Sequence, residues 1–207
     1  IDQNSWKYKI AEQIVSSYKT DTMSQHIFEK VIIKELLWHA TTMIKGRKVN
    51  TKGELGDKID MINIKIVGQR YWSEDAVKEY KIANPPEKKN WKTVTKGTLI
   101  HEHAVPRKII KEKIINILDK QNNSNKNSKI KEVYEIINKY SKSVVVTKDE
   151  DKKLNEKGLK QKMPKDWDEK KWYARYEKSG INIIDLDEGK KIPYNKKFKD
   201  IMYKIKK

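Results

Sequence analysis

The run Thr98-Leu99-Ile100-His101-Glu102-His103-Ala104-Val105-Pro106-Arg107-Lys108 joins a short apolar approach to two of the chain's four histidines, with a carboxylate between them and a proline behind. The apolar approach reads as a short strand. Pro106 favours an extended residue before it and opens the first turn of a helix after it. A strand that delivers Glu102 and His103 to a helix edge sets a hard oxygen donor beside a potential general base. Neighbouring residues of a strand point to opposite faces, so the two converge only where the strand ends or bends. His101 and His103 share a face, which leaves a His-x-His zinc pair as the rival chemistry at this point.

Downstream of Pro106, Ile109, Ile110, Ile114, Ile117 and Leu118 recur at helical spacing. The polar run from Gln121 to Ser128 has nothing to bury and is expected to be a mobile loop. Ile130, Val133, Tyr134, Ile137 and Tyr140 make a second helix. The β-branched run Val144-Val145-Val146 is the best strand candidate in the chain. Thr147 then caps a helix whose first turn holds Asp149, Glu150 and Asp151, complementing the positive end of the helix dipole, and Leu154 points toward the core.

Upstream, Trp6, Ile10, Ile14 and Tyr18 predict an amphipathic helix over residues 5–18. Thr22 and Gln25 form a capping-box pattern ahead of a long apolar stripe (Ile27, Phe28, Val31, Ile32, Leu36, Leu37, Ala40 and Ile44) that ends at Gly46. Residues 47–56 read as a basic loop. Residues 59–67 fit both strand alternation and a helix, with length slightly favouring helix. Ser73 caps a short helix from Glu74 to about Ala83, closed by Pro85-Pro86. Near the C-terminus, Trp167, Trp172, Tyr173, Arg175 and Tyr176 lie among lysines, and Ile181 to Leu186 read as a strand. That aromatic-basic segment suits base stacking and phosphate pairing, and equally suits anchoring a small lobe to the core.

Forty-seven Lys and Arg against 29 Asp and Glu give a net charge of +18 at pH 7. A generally Lys-rich composition would raise the acidic residues as well, so the excess is read as the footprint of a phosphate-backbone binder. With no cysteine, disulfides and thiolate zinc sites are excluded. No apolar run approaches the ~20 residues that span a bilayer. The first residues carry no signal-peptide pattern, so a cytoplasmic protein without a membrane partner is expected.

Strand, Glu-His-x-x-Pro, then strand, Val-Thr turn and an acidic helix start: this order resembles the HNH (ββα-metal, or His-Me finger) endonucleases over Thr98–Arg107 and Ser143–Leu154. The resemblance implies that Glu102 binds a divalent metal, that His103 is the general base and that Asp151 is the second ligand. Lys142 or Ser143 stands where the family usually has a middle asparagine. Phosphodiester hydrolysis needs an activated water and neutralisation of the phosphate. An imidazole with a pKa near ~6.5 can take the water's proton, and carboxylate oxygens suit Mg²⁺ or Mn²⁺.

The expected fold is thus α+β, mostly helical, with a small antiparallel sheet forming a ββα-metal-type site. It divides into a helical region 1–90, an HNH-like core 91–160 with a helical insertion, and an aromatic-basic segment 161–207, within one compact domain. The expected function is metal-dependent cleavage of DNA, as in a restriction or defence nuclease. Arg107, Lys108, Lys148, Lys152, Trp172 and Arg175 are expected to contact the nucleic acid. A homodimer is the assembly a specific double-strand cutter calls for. The alternatives are a non-catalytic nucleic-acid binder on the same scaffold and an RNA-directed nuclease or toxin.

Overall fold

A computed structural model describes residues 5–18, 24–42, 66, 69–83, 98–120, 125–187 and 190–192. In chain order the elements are α1 (Trp6–Ser17), α2 (Gln25–Ile27, Phe28–Ile32 and Ile33–Thr42 in succession), β1 (Tyr71–Ser73), α3 (Glu74–Ala83) and β2 (Leu99–His103). They continue with α4 (Arg107–Asp119), α5 (Lys126–Tyr140), β3 (Ser143–Thr147), α6 (Lys148–Glu156), α7 (Ala174–Ser179), β4 (Ile183–Asp185) and β5 (Lys190–Ile192). The chain is α+β and mostly helical, as expected. It forms two compact units, residues 1–43 with 103–142 and residues 44–102 with 143–207. Each unit is discontinuous in sequence. The cause is that the strand lying beside β2 comes only after two intervening helices.

The first unit is helical, with α1 packed on α5 and α2, and α4 packed on α5 and α2. Its core takes Ile10, Ala11 and Ile14 from α1, Ile110, Ile114 and Leu118 from α4, and Ile130, Val133 and Ile137 from α5. Ser5 caps α1, with the Tyr8 N–H donating to its hydroxyl at 3.2 Å. The cap of α2 is Ser24, which accepts from the Ile27 N–H at 3.3 Å; Thr22 lies outside the described residues.

The Phe28–Ile32 portion of α2 is a π-helical turn. An i→i+5 turn inserts a residue into the α-helical phase, so the buried stripe runs Phe28, Ile33, Leu37, Ala40 rather than along strict α-helical spacing. Ile27 and Val31, expected on the stripe, are 47% and 51% exposed. At the far end of the polar run, Asn125 accepts from the Ser128 N–H at 2.9 Å and caps α5. The expected mobile loop thus closes into a helix start by residue 125. Residues 47–56 and 59–65 lie outside the described residues, while Ile66 is helical and buried.

The second unit is built on a sheet of order β2-β3-β1-β4-β5. It is mixed, not antiparallel. Tyr71 and Trp72 of β1 pair parallel with Val144 and Val145 of β3, and β1 pairs antiparallel with β4. Flanking bonds set the sense of β2 against β3: the Lys148 N–H donates to the Thr98 carbonyl (3.0 Å) and the Ala104 N–H to the Lys142 carbonyl (2.8 Å). The start of one strand therefore meets the end of the other, and the pair is antiparallel. Every residue of β3 is buried, consistent with its β-branched run filling an interior position of the sheet. Trp72, Ala76, Leu99, Val145 and Ile66 form one core cluster here.

Thr147 ends β3 and caps α6 through a complete capping box with Glu150. Its hydroxyl accepts from the Glu150 N–H at 3.1 Å, and the Glu150 carboxylate accepts from the Thr147 N–H at 2.9 Å. Ser73 also donates to that carboxylate, and its hydroxyl accepts from the Ala76 N–H at 3.0 Å, capping α3. One carboxylate thereby ties the starts of two helices together. Thr147→Ala is expected to cost about 1–2 kcal/mol, read as a fall of a few degrees in Tm. An unchanged Tm would mean that the cap contributes nothing to stability.

Candidate functional site

Glu102 is the fourth residue of β2, and Asp151 lies in the first turn of α6. Their side chains are 16% and 15% exposed, and each is ion-paired. Glu102 accepts a charge-assisted hydrogen bond from Arg175 Nη2. Asp151 Oδ2 accepts from Lys160 Nζ at 2.9 Å. Arg175 has no exposed surface, and its Nη1 donates to the carbonyls of Leu159 (3.0 Å) and Lys160 (2.9 Å). The guanidinium therefore connects Glu102 on the sheet to the turn after α6, and the side chain of Lys160 connects that turn back to Asp151. Gly158, at φ +67°, makes the turn possible. It lets the Leu159 N–H reach back to the Leu154 carbonyl at 2.8 Å, which terminates α6.

Burial pushes the Glu102 carboxyl above its ordinary value, and the negative charge of Asp151 adds to the rise, while Arg175 and Lys160 oppose it. The two carboxylates are linked through Arg175 and Lys160. The Lys160 ammonium is held above its ordinary value by its hydrogen bond to Asp151.

His103 ends β2 and is half-buried, as is His101. The chain bends at Ala104 and Val105 and enters α4 behind Pro106, so the strand does end at the Glu102-His103 step. Arg107 and Lys108 open α4 in the helical unit; Arg107 is half-buried and the Lys108 side chain is 71% exposed. Lys148 and Lys152 are exposed on α6 of the sheet unit. Trp172 is half-buried, its ring centroid 4.6 Å from that of Tyr71.

Arg175 departs most from expectation. Expected to touch nucleic acid, it is instead fully buried, with its donors engaged by Glu102 and two carbonyls. A phosphate could reach it only if that network opened. Lys160 joins the site without any local sequence signal, being one lysine among many. Glu150 proves to be more than one of three first-turn acids, and the Thr147-x-x-Glu150 spacing is itself the capping-box signature that could have found it.

Burial raises the Glu150 carboxyl above its ordinary value of 4.5, outweighing the donors from Ser73 and Thr147. A carboxyl raised by folding contributes stability that is fully present below the unfolded value and is lost as pH rises through the folded one. Glu150→Gln removes that titration. The Tm of wild type should therefore fall relative to Glu150→Gln between pH 4 and pH 7. A difference that stays flat with pH would show that Glu150 is not raised.

The sequence matches no protein-family model, and no curated protein or solved structure matches it. Among the described residues, no group of three or more His, Cys, Asp and Glu side chains is placed to hold a metal ion, and no helix is long and apolar enough to cross a membrane.

Proposed function

We propose that this chain is a divalent-metal-dependent endonuclease of the HNH (ββα-metal) type that hydrolyses DNA phosphodiester bonds, with Glu102 and Asp151 as metal ligands and His103 as general base. One observation carries the reading. Two carboxylates far apart in sequence, one on β2 and one on the helix that follows its antiparallel neighbour β3, are joined through Arg175 and Lys160 in one hydrogen-bonded network. Strand, antiparallel strand and helix with an acid at each end is the order the resemblance requires.

The donor set fits Mg²⁺ or Mn²⁺. Both ligands are hard oxygens, and Mg²⁺ is commonly held by one or two carboxylates, with water and substrate phosphates completing its shell. When bound, the ion would offset charge on the phosphate and the departing oxygen. The chain's own residues do the rest. Arg175 fixes the Glu102 carboxylate, and His103 at the strand end takes the proton of the attacking water. The exposed Lys148 and Lys152 supply a basic surface on α6 for the phosphate backbone.

Supercoiled plasmid incubated with Mg²⁺, Mn²⁺ or EDTA tests the reading. Nicking with either metal and none in EDTA is expected. The pairing of both carboxylates with cations favours a second reading, a non-catalytic nucleic-acid binder. Salt-sensitive plasmid binding with no cutting under any metal would replace the nuclease with that binder. Faster cutting of RNA in direct competition would reassign the substrate.

A further inference from the structure

Glu102, Arg175, Lys160 and Asp151 form one continuous chain of contacts. Glu102 accepts from Arg175, Arg175 donates to the Lys160 carbonyl at 2.9 Å, and the Lys160 ammonium returns to Asp151 at 2.9 Å. With two carboxylates and two cations, its formal charge is zero. A divalent ion arriving at these carboxylates meets two positive charges already held against them, so one has to give way.

The two cations are not equally free to do so. Arg175 has no exposed surface, and moving it would strand a guanidinium and two carbonyls without partners. The Lys160 side chain is 47% exposed and makes one ion pair to a carboxylate at the protein surface. Its stem is flexible and its ammonium is readily hydrated. Its backbone stays in place, because its carbonyl is held by Arg175. An ammonium released from Asp151 therefore remains beside the carboxylate it left.

We propose that Lys160 is a displaceable counter-ion. It holds Asp151 in the free protein, yields that carboxylate to a divalent metal, and turns to a phosphate oxygen of the nucleic acid bound at the same place. This rests on the nuclease reading and deepens it. Metal and nucleic acid then bind cooperatively, because the phosphate takes up the cation that the metal displaces. By linkage, the factor by which DNA tightens metal binding equals the factor by which metal tightens DNA binding.

The test measures Mn²⁺ affinity by electron paramagnetic resonance, with and without a duplex oligonucleotide. All proteins carry His103→Ala, so that the duplex stays intact. In the parent, the duplex is expected to tighten Mn²⁺ binding by roughly tenfold, within the usual span of coupling between sites. Adding Lys160→Ala should tighten Mn²⁺ binding to the free protein by roughly five- to tenfold and remove most of the further gain from the duplex. Lys160→Arg keeps a cation and should behave as the parent does. If Lys160→Ala leaves Mn²⁺ affinity in the free protein unchanged or weaker, the counter-ion role is wrong while the nuclease reading stands. If no variant binds Mn²⁺ with or without the duplex, the nuclease reading falls and takes the inference with it.

Discussion

Arg175→Ala is expected to destabilise the protein by about 3–5 kcal/mol, the usual consequence of removing one partner from a buried ion pair. For a chain of this size that is a fall in Tm on the order of 10 °C. Three losses coincide. The Glu102 carboxylate keeps its burial without its cation, the carbonyls of Leu159 and Lys160 lose a donor, and the side chain leaves a void. Arg175→Met separates them by filling much of the volume without the charge, and should recover only part of the loss. The pH dependence has a definite sign. Burial already raises the Glu102 carboxyl and Arg175 opposes that rise, so without Arg175 the carboxyl rises further. Stability in the variant is then retained below about pH 4.5, where the carboxyl is protonated, and lost as pH climbs through the raised value. Thermal unfolding of wild type and Arg175→Ala at pH 4 and pH 7 checks both claims. A deficit of only a degree or two at both pH values would mean that the guanidinium is not structurally important.

Local signals in the sequence locate the elements that carry the site. Pro106 before an isoleucine repeat marks α4, the valine run marks β3, and Thr147 with three acids behind it marks α6. Each depends on chemistry within a few residues, so each is legible without the fold. The sheet as a whole is not. β1 is three residues long, too short to show alternation, yet it lies between β3 and β4 and makes the sheet mixed. A parallel pairing of that kind is non-local and leaves no periodic trace. The π turn in α2 defeats the apolar stripe for a related reason, since a single helical period does not run through it. Arg175 shows the same limit in the site. Amid tryptophans, tyrosines and lysines it resembles a nucleic-acid contact, and only the tertiary fold reveals that Glu102 claims it. The elements that hold Glu102 and Asp151 are thus legible in local sequence, and the cations paired with those carboxylates are not.

His103→Ala should reduce metal-dependent plasmid nicking by about 10²–10⁴-fold, the range that a positioned general base contributes, while leaving DNA affinity and its salt dependence near wild type. The separation follows from where each effect arises. Affinity for a duplex comes mainly from lysine and arginine contacts to phosphates and weakens steeply with salt, and one half-buried imidazole at a strand end adds little to it. Proton transfer from water needs a base at one position, and no lysine can replace it. The complementary variant is Lys148→Glu with Lys152→Glu, which reverses two exposed charges on α6 without touching Glu102, His103 or Asp151. It should weaken binding and reduce the slope of log affinity against log salt by about two, one for each phosphate that no longer meets a lysine. Cutting should fall only as far as occupancy falls, and return when protein saturates the plasmid. Cutting by His103→Ala at the wild-type rate would remove the imidazole from the mechanism. A parallel collapse of binding in that variant would instead make His103 a structural residue of the strand end.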